Sequence, residues 1–407
     1  MVPNAWSIKP VANILEKVSN PVNVNPEMVY HEIGIRSHGK GIFYKEPIFG
    51  QELGNKRVFY VEPDCFVVNI VFAWEQAIAK TTTDEKGKIA SHRFPMFKPR
   101  KDLCDIDYIL YLFKSRKGKY LLELASPGGA GRNKTLGQSE FSKLELILPP
   151  IEEQKKIAKI LFTWEKAIGT TEQLLANSQK QKKALMQQLL TGKKRLLDSN
   201  GVRFSGEWVH GRLGELCTFK GGSAFKEEYQ GHSEGDLPFI KVSDMNLRGN
   251  EKYIGYANNW LTDQAAKELK AKAFPKDTIV FAKVGAALLL NRRRILFRPT
   301  IIDNNMMAAI PTKFGDTEFI YQLMLAVDFA KLVQEGAVPS VNQGDLASFK
   351  ISYPEKEEQQ KIAAVLSTAE QEITALRQEL AALKQEKKAL MQQLLTGKRR
   401  VKVEEAA

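Results

Sequence analysis

The string KKALMQQLLTG occupies Lys182–Gly192 and returns unchanged at Lys387–Gly397, 205 positions later. The repeat extends well beyond these letters. Between Glu152–Arg195 and Glu357–Arg400, 26 of 44 positions are identical without a gap, and Lys182–Lys193 matches Lys387–Lys398 at every position. At the same offset Pro149 pairs with Pro354 and Gln138 with Gln343. Any fold for this chain must use one structural unit twice.

Both copies read as long helices. They are rich in Ala, Leu, Lys, Gln and Glu, have no internal proline, follow a proline (Pro149 and Pro150; Pro354) and close on a glycine (Gly192; Gly397). Apolar residues recur with alternating four- and three-residue steps. The first copy places Ile157, Leu161, Trp164, Ile168, Leu175, Leu185 and Leu189 on one seam, with Thr171 and Ser178 as polar members. The second places Ile362, Leu366, Ile373, Leu376, Leu380, Leu383, Leu390 and Leu394 there. Each seam carries one lysine at the matched position, Lys182 and Lys387. Such spacing is that of a coiled coil. Two amphipathic helices packed on separate domains would show it too, but the matched length and register favour the two helices packing on each other as an antiparallel pair.

The stretches before each helix are globular and share a frame. NAWSIKPVANIL at 4–15 is similar to GEWVHGRLGELC at 206–217, and DYILYLF at 107–113 to EFIYQLM at 318–324. Short strands, LELILP and FKISYP, precede the two helices. The expected plan is a globe of mixed helix and strand at 1–150, a helix at 151–197, a second globe at 198–353, a second helix at 354–400 and a tail at 401–407. The net charge of +13 invites a polyanionic partner, yet it is spread as +5 over 1–150, +6 over 151–205, and +1 over each of 206–353 and 354–407. A nucleic acid must therefore meet shaped patches rather than a basic tail.

In these motifs the chain resembles the specificity subunits of type I restriction–modification enzymes. The resemblance rests on the repeated PxxEEQxxIAxxL opening, the KKALMQQLLTGKxR close, and FSGEW (Phe204–Trp208) at the start of the second globe, and it covers the whole chain. It implies α/β (α+β) target-recognition domains in two copies, alternating with two helices paired as an antiparallel coiled coil in a pseudo-two-fold tandem repeat. It implies no catalysis in this chain: each globe reads one half of a split duplex DNA target. The helix pair sets the spacer and docks two modification subunits that methylate adenine N6 with S-adenosylmethionine, and restriction subunits add ATP- and Mg-dependent translocation and cleavage. A coiled-coil scaffold with two protein-binding domains and no DNA is the rival reading; it leaves the divergence of the globes' middles unexplained.

The residues themselves offer no catalytic motif. There is no GxxxxGK[ST] loop, no NPPY-like tetrapeptide, no GxGxxG in the glycine-rich run 34–43, no ExK following Pro63–Cys65 within the first globe, and no metal-ligand spacing among the five histidines. Cys65, Cys104 and Cys217 are scattered, as expected of unpaired thiols in a reducing cytoplasm. The start, MVPNAWSIKP, lacks a basic region followed by an apolar one, so no secretion signal is expected, and the longest apolar run, 66–74, is too short to span a bilayer. A cytoplasmic, nucleoid-associated protein of a bacterium or archaeon is expected.

Base readout needs Arg, Lys, Asn, Gln or Ser on loops, and phosphate contacts need cations and hydroxyls. In the first globe the candidates are Arg36, Ser37, His38, Lys40, Lys56, Arg57, His92, Arg93, Arg132, Asn133 and Lys134. In the second they are Lys220, Ser223, Lys226, Lys241, Ser243, Asp244, Asn246, Lys283, Arg292, Arg293 and Arg294. The loops carrying them are expected to gather on one face of each globe.

Overall fold

A computed structural model describes residues 2–128, 134–333 and 339–403. The chain divides into two compact units, 1–172 with 378–407, and 173–377. Each takes one globe and half of each long helix, because a helix buries its apolar stripe against whatever lies beside it, not against its neighbours in sequence.

In the first unit strands β1 (Leu15–Val18), β2 (Phe66–Val68), β3 (Ile78–Lys80) and β4 (Met96–Pro99) form an antiparallel sheet in the order β1-β4-β2-β3. Helix α1 (Ile106–Lys114) lies against it, and the core joins Phe66, Phe97, Phe113 and Phe141 to Ile157 and Leu161 of α2 (Ile151–Leu189) and to Leu394 and Leu395. In the second unit β5 (Cys217–Gly221), β6 (Tyr253–Ile254), β7 (Ile279–Ala282), β8 (Arg294–Leu296) and β9 (Met306–Pro311) form a sheet in the order β5-β9-β7-β8-β6, with only β6 and β8 parallel. Helix α3 (Thr317–Ala326) takes the place of α1, and α4 (Lys356–Leu394) supplies Ile362 and Leu366 to the core beside Leu189 of α2. The first strand of each globe, Ser7–Pro10 or Val209–Arg212, pairs antiparallel with the strand that leads into the long helix, Glu145–Leu148 or Lys350–Tyr353.

The repeated EEQ string explains how each helix is fixed to its globe. Gln154 donates from Nε2 to the carbonyls of Pro149 (2.9 Å) and Leu103 (3.1 Å) and accepts at Oε1 from the Asp105 amide (3.0 Å). Gln359 does the same with Pro354, Phe314 and Asp316, each at 3.0 Å. Asp105 and Asp316 in turn cap α1 and α3. One buried glutamine thus ties a helix start to a second helix's N-cap.

Within each unit the helix halves run antiparallel. In the first, Glu153, Glu165 and Glu172 of α2 meet Arg400, Lys387 and Lys384. In the second, Ser178, Lys182 and Arg195 meet Glu372, Glu370 and Glu358. Ile157, Leu161, Leu189, Ile362, Leu366, Ile373 and Leu394 are buried, and Trp164, Ile168, Leu175, Leu185, Leu376, Leu380, Leu383 and Leu390 are half-buried. The polar seam members are accommodated in kind. Thr171 and Ser178 are buried, Ser178 donating to Glu372 (2.8 Å), and the two seam lysines are ion-paired: Lys182 with Glu370 (3.1 Å) and Lys387 with Glu165 (3.3 Å). Glu165 and Glu370 are themselves 205 positions apart.

Cys65, Cys104 and Cys217 are free and buried; burial pushes the first thiol up to about 11 and the other two up to about 12. Among the described residues no helix is long and apolar enough to cross a membrane.

Two predictions follow from these closures. Gly192 and Gly397 end the helices with φ of +70° and +69°. A Cβ on Gly397 would lie 2.4 Å from Pro3 Cγ, whereas on Gly192 it would meet Trp208 at 3.2 Å. Left-handed backbone alone costs an L-residue about 1–2 kcal/mol. Gly397→Ala is therefore expected to lower Tm, and by more than Gly192→Ala, in thermal unfolding followed by circular dichroism. At Glu165 burial pushes the carboxyl up, but the Tyr111 hydroxyl (2.6 Å) together with Lys114 and Lys387 outweighs it and holds the group below the usual glutamate value. A depressed folded-state pKa contributes stability above the unfolded value that is lost as pH falls through the folded one. Acidification from pH 5 downward should therefore destabilise the wild type more steeply than Glu165→Gln; equal slopes in denaturant titrations would remove Glu165 from the account.

Candidate nucleic-acid interface

In the first unit the candidate loops are linked through residues 70–76. Arg36–Gly41 folds into a tight turn with His38, Gly39 and Gly41 at positive φ, where glycine is the natural choice. His38 and Gly39 donate their amides to the carbonyls of Glu75 (2.7 Å) and Gln76 (2.8 Å), and Ser37 Oγ donates to Glu75 Oε2 (3.0 Å). Arg36 lies over Phe43 and donates to the Ile42 carbonyl (3.0 Å), while Lys40 is exposed. Lys134 stands 5.8 Å from the Trp74 ring. Ile70 connects the remaining loops: its amide donates to Arg93 O (3.0 Å) and its carbonyl accepts from Leu136 (2.8 Å). His92 donates to Arg57 O (3.0 Å), and Lys56, Arg57, His92 and Arg93 are all exposed. Arg132 and Asn133 lie outside the described residues.

In the second unit the candidates form two groups. At the sheet end where β5 and β7 finish and β9 begins, Lys220 is exposed and Ser223 donates its amide to Ile302 O (2.9 Å). There Lys283 Nζ lies 3.5 Å from where a Cβ on Gly221 would stand. Gln343, with its amide oriented to satisfy both ends, donates to Phe219 O and accepts from Gly221 N, each at 3.1 Å. The other group surrounds Met245. Arg294 donates to the Met245 carbonyl (3.0 Å), Arg292 donates to Asn246 Oδ1, and Ser243 is exposed. Lys241 donates to Gln230 Oε1 (3.0 Å) and stands 5.8 Å from the Phe225 ring, and Lys226 pairs with Glu228 (3.6 Å).

Two candidates are not surface groups. Arg293 is 1% exposed. Its guanidinium stacks 3.7 Å from the Phe329 ring and 5.3 Å from that of Phe281, and burial lowers its pKa to about 9. The charged run NRRR leads into strand β8, and its middle arginine, the residue before the strand, is enclosed by these two rings; it packs the core rather than meeting a ligand. Asp244 is fully buried, accepting from the Lys241 amide (2.8 Å) and from Asn258 Nδ2 (2.6 Å). It holds a turn and has no surface for a base. Sequence reasoning also passes over Asn304 and Asn305, exposed neighbours of Lys283, although the turn-forming string Asp303–Asn304–Asn305 carried a signal.

What this arrangement offers is donors and cations on pinned loops. Among the described residues no group of three or more His, Cys, Asp or Glu is placed to hold a metal ion.

A family model, the type I restriction modification DNA specificity domain, matches residues 39–177 and again 205–385. The chain is 26% identical over 365 residues to the type I restriction enzyme MjaVIII specificity subunit of Methanocaldococcus jannaschii, covering 86% of this chain and 82% of that protein. It is 24% identical over 259 residues to the EcoR124I/EcoR124II specificity subunit of Escherichia coli, covering 61% of each. Among solved structures, the type I restriction–modification S subunit from M. genitalium superposes with a TM-score of 0.60 at 15% identity over 97% of both chains. The HsdS subunit from Thermoanaerobacter tengcongensis gives 0.51 at 18% over 98% of both. With the family model matching once in each globe-and-helix repeat, the chain belongs to the type I restriction–modification DNA specificity family.

Proposed function

We propose that this chain is the DNA-recognition subunit of a type I restriction–modification complex, each globe reading one half of a bipartite duplex target. The observation that carries this reading is the double family match laid over two globes of one frame whose exposed polar side chains differ. A frame repeated with unequal surfaces suits two unequal half-sites. The helices, identical at 26 of 44 positions and at all of Lys182–Lys193, suit one partner met twice, so two modification subunits dock on them and restriction subunits join the assembly in the cytoplasm, at the nucleoid. The chain itself holds and positions DNA. S-adenosylmethionine for adenine N6 methylation, and ATP with Mg for translocation and cleavage, belong to those partner subunits. Adenine N6 is out of reach of a methyltransferase inside the stack, so the target base must be extruded while the specificity subunit holds the flanks.

On this reading the helices set the spacing of the half-sites. The boundary between the compact units falls at Glu172 and Gln173 in α2. Inserting four residues there lengthens the helix by ~6 Å, or roughly two base pairs at ~3.4 Å each. With the insertion, the assembled complex is expected to select a target whose unspecified spacer has grown while both half-site sequences stay the same. Altered half-site sequences would contradict the spacer role. Binding that ignores salt would contradict DNA recognition itself, because each neutralised phosphate steepens the dependence of log K on log salt.

A further inference from the structure

Backbone hydrogen bonds establish a residue-by-residue equivalence at one end of the two sheets. In the first unit the Phe94 amide closes a turn onto Ser91 O (2.8 Å), and Ser91 Oγ accepts from the Arg93 amide (3.3 Å). In the second the Met306 amide closes a turn onto Asp303 O (2.9 Å), and Asp303 Oδ1 accepts from the Asn305 amide (2.6 Å). The carbonyl at the third turn position accepts from the strand alongside: Arg93 O from Ile70 (3.0 Å), Asn305 O from Lys283 (2.9 Å). The next bond out is also repeated, Leu136 to Ile70 O (2.8 Å) and Val341 to Lys283 O (3.0 Å), and Leu136 and Val341 stand 205 positions apart like the helical repeat. Both turns run into the inner strand beside the first strand of the sheet, β4 or β9.

The frame is held constant and the tip is not. His92 and Arg93 occupy the two central turn positions in the first unit, and Asn304 and Asn305 occupy them in the second. All four are exposed. Among the described residues none of their side chains makes a hydrogen bond or ion pair within the protein, so the donors and acceptors at each tip are available to a ligand. The turn backbone is already pinned at three points, so little ordering remains when a ligand arrives.

We propose that His92–Arg93 and Asn304–Asn305 are equivalent base-reading positions, one for each half of the target. The assignment rests on the DNA-recognition reading above. Arginine fits the O6 and N7 acceptors of guanine with two bonds, and asparagine fits N6 and N7 of adenine. The first unit's tip therefore selects a G·C pair and the second unit's an A·T pair, with Lys283 beside the latter as a further donor.

The test uses the full chain assembled with its modification subunit, selecting from a duplex library randomised at every target position. Arg93→Ala is expected to lose preference at one G·C position of one half-site, and Asn305→Ala at one A·T position of the other, each by roughly 5- to 150-fold. The opposite half-site and the salt dependence stay as in the wild type. Asn305→Asp, nearly the same shape, moves the preference from adenine toward cytosine, whose N4 a carboxylate accepts from. Thermal unfolding of the variants should match the wild type because the side chains are exposed. An unchanged motif, an equal loss for all sequences with a shallower salt dependence, or both variants altering the same half-site would each overturn the assignment. A wild-type complex that selects no sequence would instead overturn the DNA-recognition reading, and the assignment with it.

Discussion

A buried carboxylate must find a cation, and in each unit it finds one far away in sequence. Glu153 and Glu358, at the starts of the long helices, are almost without solvent exposure. Glu153 is held by both sides of the Arg400 guanidinium at 2.7 and 2.8 Å, and Glu358 by Arg195 at 2.7 Å twice. Each arginine also lies 5.9 Å from a tryptophan ring that opens its globe, Trp6 or Trp208. The start of one helix, the end of the other and the first residues of a globe are thus drawn to one point. Removing the arginine would leave the buried carboxylate without its counter-charge, which destabilises the unit. The glutamine that follows each carboxylate, Gln154 or Gln359, ties the same helix start to its globe.

The closure is duplicated, but the two copies differ in small ways. Trp6 donates its indole N–H to Glu153 (3.2 Å), while the Trp208 Nε1 is buried without a partner among the described residues. Glu165 is flanked by Lys387 and Lys114, and Glu370 by Lys182 and Lys252; the second lysine comes from a different part of each globe. Two helix-to-helix ion pairs are kept at the repeat offset, Glu153–Arg400 with Glu358–Arg195 and Glu165–Lys387 with Glu370–Lys182, and helix-to-globe contacts are rebuilt from what each globe supplies. A protein that meets one kind of partner twice and two DNA sequences once each would be constrained in this way.

The helices were legible because periodicity, proline and glycine act locally, and the offset of 205 predicted which residues share a role. The lysines on the seam were legible as positions, though not as ion pairs, since their partners Glu165 and Glu370 sit off the seam, one residue past Trp164 and Ala369. The core of each globe was hidden, because its strands are two to six residues long and scattered over loops. Arg293 shows the limit most plainly. A triple arginine reads as a surface run, and only the rings of Phe281 and Phe329 around the residue before β8 reveal that the middle one is inside. Asn304 and Asn305 show the converse, for an Asp-Asn-Asn string reads as a turn and nothing more until the matching turn at His92–Arg93 is seen.

The central claim is that one repeated frame presents two unequal DNA readers to equal partners. It is tested most directly by sequencing the methylome of cells that carry this chain with its modification subunit, against cells that lack it. The account predicts a new bipartite motif, with N6-methyladenine in both halves and two dissimilar half-sites. No new motif, in cells where the modification subunit is expressed and bound to this chain, would contradict it.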